Sequence, residues 1–95
     1  MLSKVKAALR ISKSTFDGEL TDLIEACLAD LRLVGIPVES AAAAALDALL
    51  TRSVLLYAKA NFGFDDSAER YKQAYDAQKL SLSLATGYGV AVEVV

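Results

Sequence analysis

The stretch from Leu46 to Arg70, LDALLTRSVLLYAKANFGFDDSAER, constrains the fold of this chain more than any other. Leu46, Leu49, Leu50, Val54, Leu56, Tyr57 and Ala60 leave only Asp47, Arg52 and Lys59 as charged interruptions, so a helix here is apolar around much of its circumference. Such a helix belongs at the centre of a bundle, or it keeps one face for a partner. Gly63 then supplies a left-handed stop, with Phe62 and Phe64 beside it as a hydrophobic clamp. Asp65, Asp66 or Ser67 can cap a following helix, whose first turn carries Glu69. The corner of Tyr57, Asn61, Phe62, Gly63 and Phe64 is therefore expected to fix how two helices meet.

The rest of the chain supplies helices to pack around that centre. Leu2, Val5 and Leu9 follow a three-four spacing with lysines between them, which predicts a short first helix over 2–9. After the polar link Ser12 to Thr15, where Ser14 or Thr15 can cap, a second helix is expected from Phe16 to Val34. Its stripe is Phe16, Leu20, Leu23, Ile24, Cys27, Leu28, Leu31 and Val34. Gly35 and Pro37 stop it, Ser40 caps a third helix, and Ala41 to Ala45 has high helix propensity. The alanine run reads as helix filler, or as a surface for close approach of a neighbour. The third helix is expected to run on through Leu46 to about Ala60.

A fourth helix carries Ala68, Tyr71, Ala74, Tyr75, Gln78 and Leu82 along one face and ends near Ala85 to Gly87. Tyrosines four apart suit a half-buried seam, with rings packed and hydroxyls reaching water or a partner. Beyond it, Tyr88, Val90, Val92 and Val94 alternate with Gly89, Ala91, Glu93 and Val95, a two-residue period. No second strand pattern precedes it, so this tail reads either as a strand that pairs with another molecule or as a frayed end. The expected fold class is all-α, a small bundle of about four helices over 1–87 with an extended C-terminal tail over 88–95.

Charge and residue usage exclude several classes of function. With 10 Lys and Arg against 12 Asp and Glu, the net charge of −2 disfavours a general nucleic-acid binder unless positive charge gathers on one face. Lys4, Lys6, Arg10 and Lys13 are one such gathering, all before the first acid at Asp17. They read as a solvated helix face or as a contact to phosphate or an acidic partner. The chain has no histidine, which removes the usual imidazole-based triads and most zinc sites. Cys27, the one cysteine, lies on an apolar stripe and reads as a small buried hydrophobe in a reducing compartment. Asp17, Glu19 and Asp22, and likewise Asp65, Asp66 and Glu69, sit at helix starts, where capping and the helix dipole explain them; weak magnesium binding is the alternative. Neither a secretory leader nor a membrane span is expected, which suggests a soluble intracellular protein.

The order KVKAALRIS, FDGELTDLIEACLADLRLVGI and LLTRSVLLYAKANFGFDDSAERYKQAYDAQKLSLSL resembles the small head-tail connector (adaptor) proteins of tailed bacteriophages, the gp6-like DNA-packaging connectors. The likeness covers about Leu2 to Leu84. Its most distinctive part is Leu56 to Gly63, followed by Glu69-Arg70-Tyr71 and Tyr75-Asp76; the alanine run and the valine-rich end depart from it. The resemblance implies a structural subunit, with no enzymatic activity and no cofactor, that forms a ring beneath the portal. That ring would extend the DNA channel and dock the next head-completion, stopper or tail protein. It further implies partners in copies of itself and in the portal, DNA passing through without specific binding, no membrane, and residence at the virion head-tail interface after assembly in the host cytoplasm. Tyr88, Val90, Val92 and Val94 are the expected oligomer or portal contact. The alternative reading is a small DNA-binding or packaging-initiation module using Lys4, Lys6, Arg10 and Lys13; a metal-dependent enzyme built on the acidic clusters is a weaker third.

Overall fold

Five helices follow one another along the residues described by the computed structural model, 1–62 and 67–85. They are α1 (Leu2–Leu9), α2 (Asp17–Leu33), α3 (Ala41–Ala45), α4 (Ala48–Phe62) and α5 (Ala68–Leu84). There is no strand among the described residues, so the bundle is all-α as expected. Gly63 and Phe64 of the corner, the acids Asp65 and Asp66, and the tail with Tyr88, Val90, Val92 and Val94 lie outside the described residues.

Each helix has a local reason to begin and end. α1 closes on Arg10 in the left-handed region (φ 60°), and Ile11 N–H donates to Lys6 O at 2.9 Å. A side chain there costs roughly 1–2 kcal/mol that a glycine would avoid. α2 starts without the side-chain cap expected from Ser14 or Thr15. The backbone makes the turn instead, with Asp17 N–H donating to Ser14 O at 3.1 Å. At its other end Gly35 takes φ 87° as expected. Its N–H donates to Arg32 O (3.0 Å) and that of Ile36 to Leu31 O (3.1 Å), the paired bonds of a Schellman stop. The link that follows is bound down: Arg32 Nε donates to Val38 O at 2.7 Å, and Ile36 and Val38 are buried.

Ser40 caps α3 as expected, its Oγ accepting from Ala43 N–H at 3.1 Å. The expected continuous third helix is nevertheless two. Asp47 Oδ1 accepts from Leu49 N–H (2.9 Å) and Leu50 N–H (3.0 Å), which caps a new helix and stops the old one. Thr51 Oγ1 reaches back to donate to Ala44 O at 3.0 Å and ties the two pieces together. The break turns Leu46 out of the core, leaving it 90% exposed, although its spacing had placed it on the apolar stripe.

α4 is the central helix, packed by α1, α2, α3 and α5. Leu50, Val54, Leu56 and Ala58 are buried, and the one buried hydroxyl on it, that of Ser53, donates to Leu49 O at 3.1 Å. The α2 stripe of Leu20, Ile24, Cys27, Leu28 and Leu31 closes over it, with Val5 and Leu9 from α1 on one flank. Side-chain contacts fix the direction of each helix. The Phe16 and Phe62 rings meet edge to face at 5.3 Å, so α2 begins where α4 ends. The Tyr57 and Tyr75 rings do the same at 5.1 Å, and Gln78 Nε2 donates to Leu49 O at 3.4 Å, so α5 runs back along α4. The molecule is elongated, 48 × 27 × 18 Å. No helix among the described residues is long and apolar enough to cross a membrane.

Candidate functional site

α5 packs on α4 and leaves an open groove between itself and α2, of about 640 Å³. Ala26, Ala29 and Leu33 form the α2 wall, Tyr57 and Ala60 the floor, and Ala68, Lys72 and Tyr75 the α5 wall. Small side chains keep the groove wide. A polar cluster bridges it near the middle: Tyr75 Oη donates to Asp30 Oδ2 at 2.7 Å, and Lys79 Nζ donates to the same oxygen at 3.0 Å. Behind them Cys27 Sγ lies 3.8 Å from Tyr75 Oη, and the Lys79 ammonium sits 5.3 Å from the Tyr75 ring centroid.

These groups are locked in fixed protonation states. Burial pushes the Cys27 thiol up to about 12, a rise that the Tyr75 hydroxyl opposes without reversing. Burial, reinforced by the hydrogen bond to Asp30, raises Tyr75 well above its ordinary value. Burial also pushes the Asp30 carboxyl upward, but the hydrogen bonds from Tyr75 and Lys79, with the charge of Lys79, outweigh it and hold Asp30 below the usual carboxylate value. At neutral pH the cluster therefore contains a protonated thiol, a protonated phenol and an ion pair. It fastens α5 to α2. No group of three metal-ligating side chains occurs among the described residues.

The residues singled out in the sequence fall in separate places. Tyr57 is part-buried in the groove floor, Asn61 Nδ2 donates to Tyr57 O at 2.9 Å, and Phe62 packs on Phe16. Lys4, Arg10 and Lys13 are exposed, and no ion pair holds them among the described residues. Lys6 stands apart from the other three. Its Nζ lies 2.8 Å from Asp17 Oδ1, an oxygen shielded from water, in an ionic contact that lacks the alignment of a hydrogen bond. Tyr75 packs its ring and gives its hydroxyl to a partner as the seam reading expected, and it is more deeply buried than half. Asp30 was missed: it flanks the apolar stripe of α2, and only the tyrosine and lysine four apart on α5 hint at its partners.

The five exposed leucines among the described residues form a third feature. Leu33, Leu46, Leu49, Leu80 and Leu84 are 84%, 90%, 49%, 60% and 74% exposed. Because α2 and α4 run antiparallel and α5 runs back along α4, all five lie toward the same end of the molecule. That is the end at which the chain leaves α5 for 86–95.

A family model described as phage connector protein matches residues 1–89, and the chain belongs to that family. No curated protein and no solved structure matches it. Membership makes it a structural, virion-associated connector that assembles with other phage structural proteins.

Proposed function

Starting from membership of the phage connector family, we propose that the protein is a head-tail adaptor. Copies of it form a ring beneath the portal, lengthen the DNA channel and present a platform to the next head-completion or tail protein. The observation that carries this reading is the leucine-bearing end. Five large apolar side chains exposed toward one end of so small a protein are more than scattered surface leucines require, and such patches mark contact sites. The proposed tail contact is made by Tyr88, Val90, Val92 and Val94, which follow α5 in the chain. Flanks then serve neighbours in the ring, and ends serve the layers above and below.

The corner of Tyr57, Asn61 and Phe62 has a supporting role in this scheme: Tyr57 holds α5 through Tyr75, and Phe62 holds the end of α4 against the start of α2 through Phe16. The DNA-module reading has less support, because Lys6 already faces Asp17 and the chain as a whole carries a net charge of −2. The test is co-sedimentation with purified portal. Leu46→Ser with Leu84→Ser should retain the wild-type helical signal and lose most of the bound fraction. Undiminished binding by this double variant would overturn the assignment of the leucine end.

A further inference from the structure

We propose that neighbouring subunits join head to tail, the basic outer face of α1 in one copy seating on the acid-rimmed α2–α5 groove of the next. This rests on the ring reading above and names the surfaces that close the ring. A cyclic assembly of more than two copies needs two different, complementary patches on well-separated sides of each protomer. The fold provides them. The Lys6–Asp17 ion pair holds α1 against one flank of α2, and the Asp30 bonds to Tyr75 and Lys79 hold α5 against another. Asp17 and Asp30 are thirteen residues apart on one helix, which at about 100° per residue points them about 140° apart. The α1 face and the groove therefore look out on opposite sides of α2.

The two patches also match in charge and shape. On α1 Ser3, Lys4 and Ala7 are exposed, and the exposed Arg10 closes the helix just beyond them. Glu69, in the first turn of α5, lines the groove, and on α2 Asp22 lies one helical turn before the lining residue Ala26, on the stripe that continues to Ala29 and Leu33. Asp22 and Glu69 are exposed and have no ion pair among the described residues, whereas Lys72 and Lys79 in the groove are each paired with an acid. The groove thus shows a neighbour unbalanced negative charge beside alanine-bearing walls. A second copy of this chain carries the complementary helix face.

The test is assembly on purified portal, read by electron microscopy and sedimentation, at low and high salt. Wild type should close rings at low salt and lose them as salt rises. Lys4→Glu with Arg10→Glu, and separately Asp22→Lys with Glu69→Lys, should abolish rings while leaving the circular dichroism of the monomer unchanged. The chain carrying all four changes should regain them, and so should an equal mixture of the two double variants. Rescue of that kind excludes a DNA-contact role for α1, which reversing the groove could not repair. Rings formed by either double variant alone, or no rescue in the fourfold variant, would overturn the proposal and leave the adaptor reading standing. Failure of wild type to form a ring would overturn both.

Discussion

Tyr75 joins three elements through one side chain. Its ring packs edge to face on Tyr57 of α4, its hydroxyl donates to Asp30 of α2, and Lys79 of its own helix lies over the ring and on the same carboxylate. Tyr75→Phe keeps the ring and deletes the hydroxyl. The loss should be about 1–2 kcal/mol in urea unfolding, the lower part of the range for a hydrogen bond to a charged group, because the Asp30 carboxylate is partly solvated. Asp30 adds a pH dependence. Its carboxyl is held below the ordinary value of 3.8, so the folded state binds its proton less readily than the unfolded state does. The stabilisation is complete above that value and is lost as the pH falls through the lower folded-state value. Melting temperatures of Asp30→Asn between pH 7 and pH 2.5 should fall less steeply than those of wild type. A slope equal to wild type would show that Asp30 gains nothing from Tyr75 and Lys79.

At the scale of elements, what was legible in the sequence is what local chemistry decides. The stripe of α2 from Leu20 to Leu31, the glycine stop at Gly35 and the Ser40 cap all arise within a few residues of chain, and they stand where the spacing put them; Val34, the expected last member of the stripe, falls past the helix end and is exposed. The division at Asp47 was not legible. The apolar pattern runs through it unbroken, and an aspartate within a helical run reads as a solvated charge until its carboxylate is seen on Leu49 and Leu50 N–H. Asp47→Ala should cost about 1 kcal/mol, the usual loss of an N-cap, whereas a merely exposed charge would cost almost nothing. The groove and its polar bridge were hidden for a different reason. Asp30 and Lys79 are 49 positions apart, and nothing local announces a partner at that separation. By contrast Leu28, fully buried on the predicted stripe, should lose about 2–5 kcal/mol as Leu28→Ala.

At the scale of the whole molecule, a small chain with 55% apolar residues covers its core with the five helices of the described residues and still exposes leucines at one end. A protein of this size has a modest margin of stability, and burying such a surface in an assembly adds to it. The isolated protein is therefore expected to sediment as a monomer or a labile oligomer, with stable rings appearing on the portal. Truncation after Thr86 should keep the helical signal and weaken co-sedimentation with portal, because it removes the proposed contact residues Tyr88, Val90, Val92 and Val94. The most direct measurement is electron microscopy of portal rings incubated with saturating protein. An added ring of density, coaxial with the portal channel, is expected on the face that receives the tail. Portal particles that stay unchanged, or that bind the protein at scattered positions without a closed ring, would contradict it.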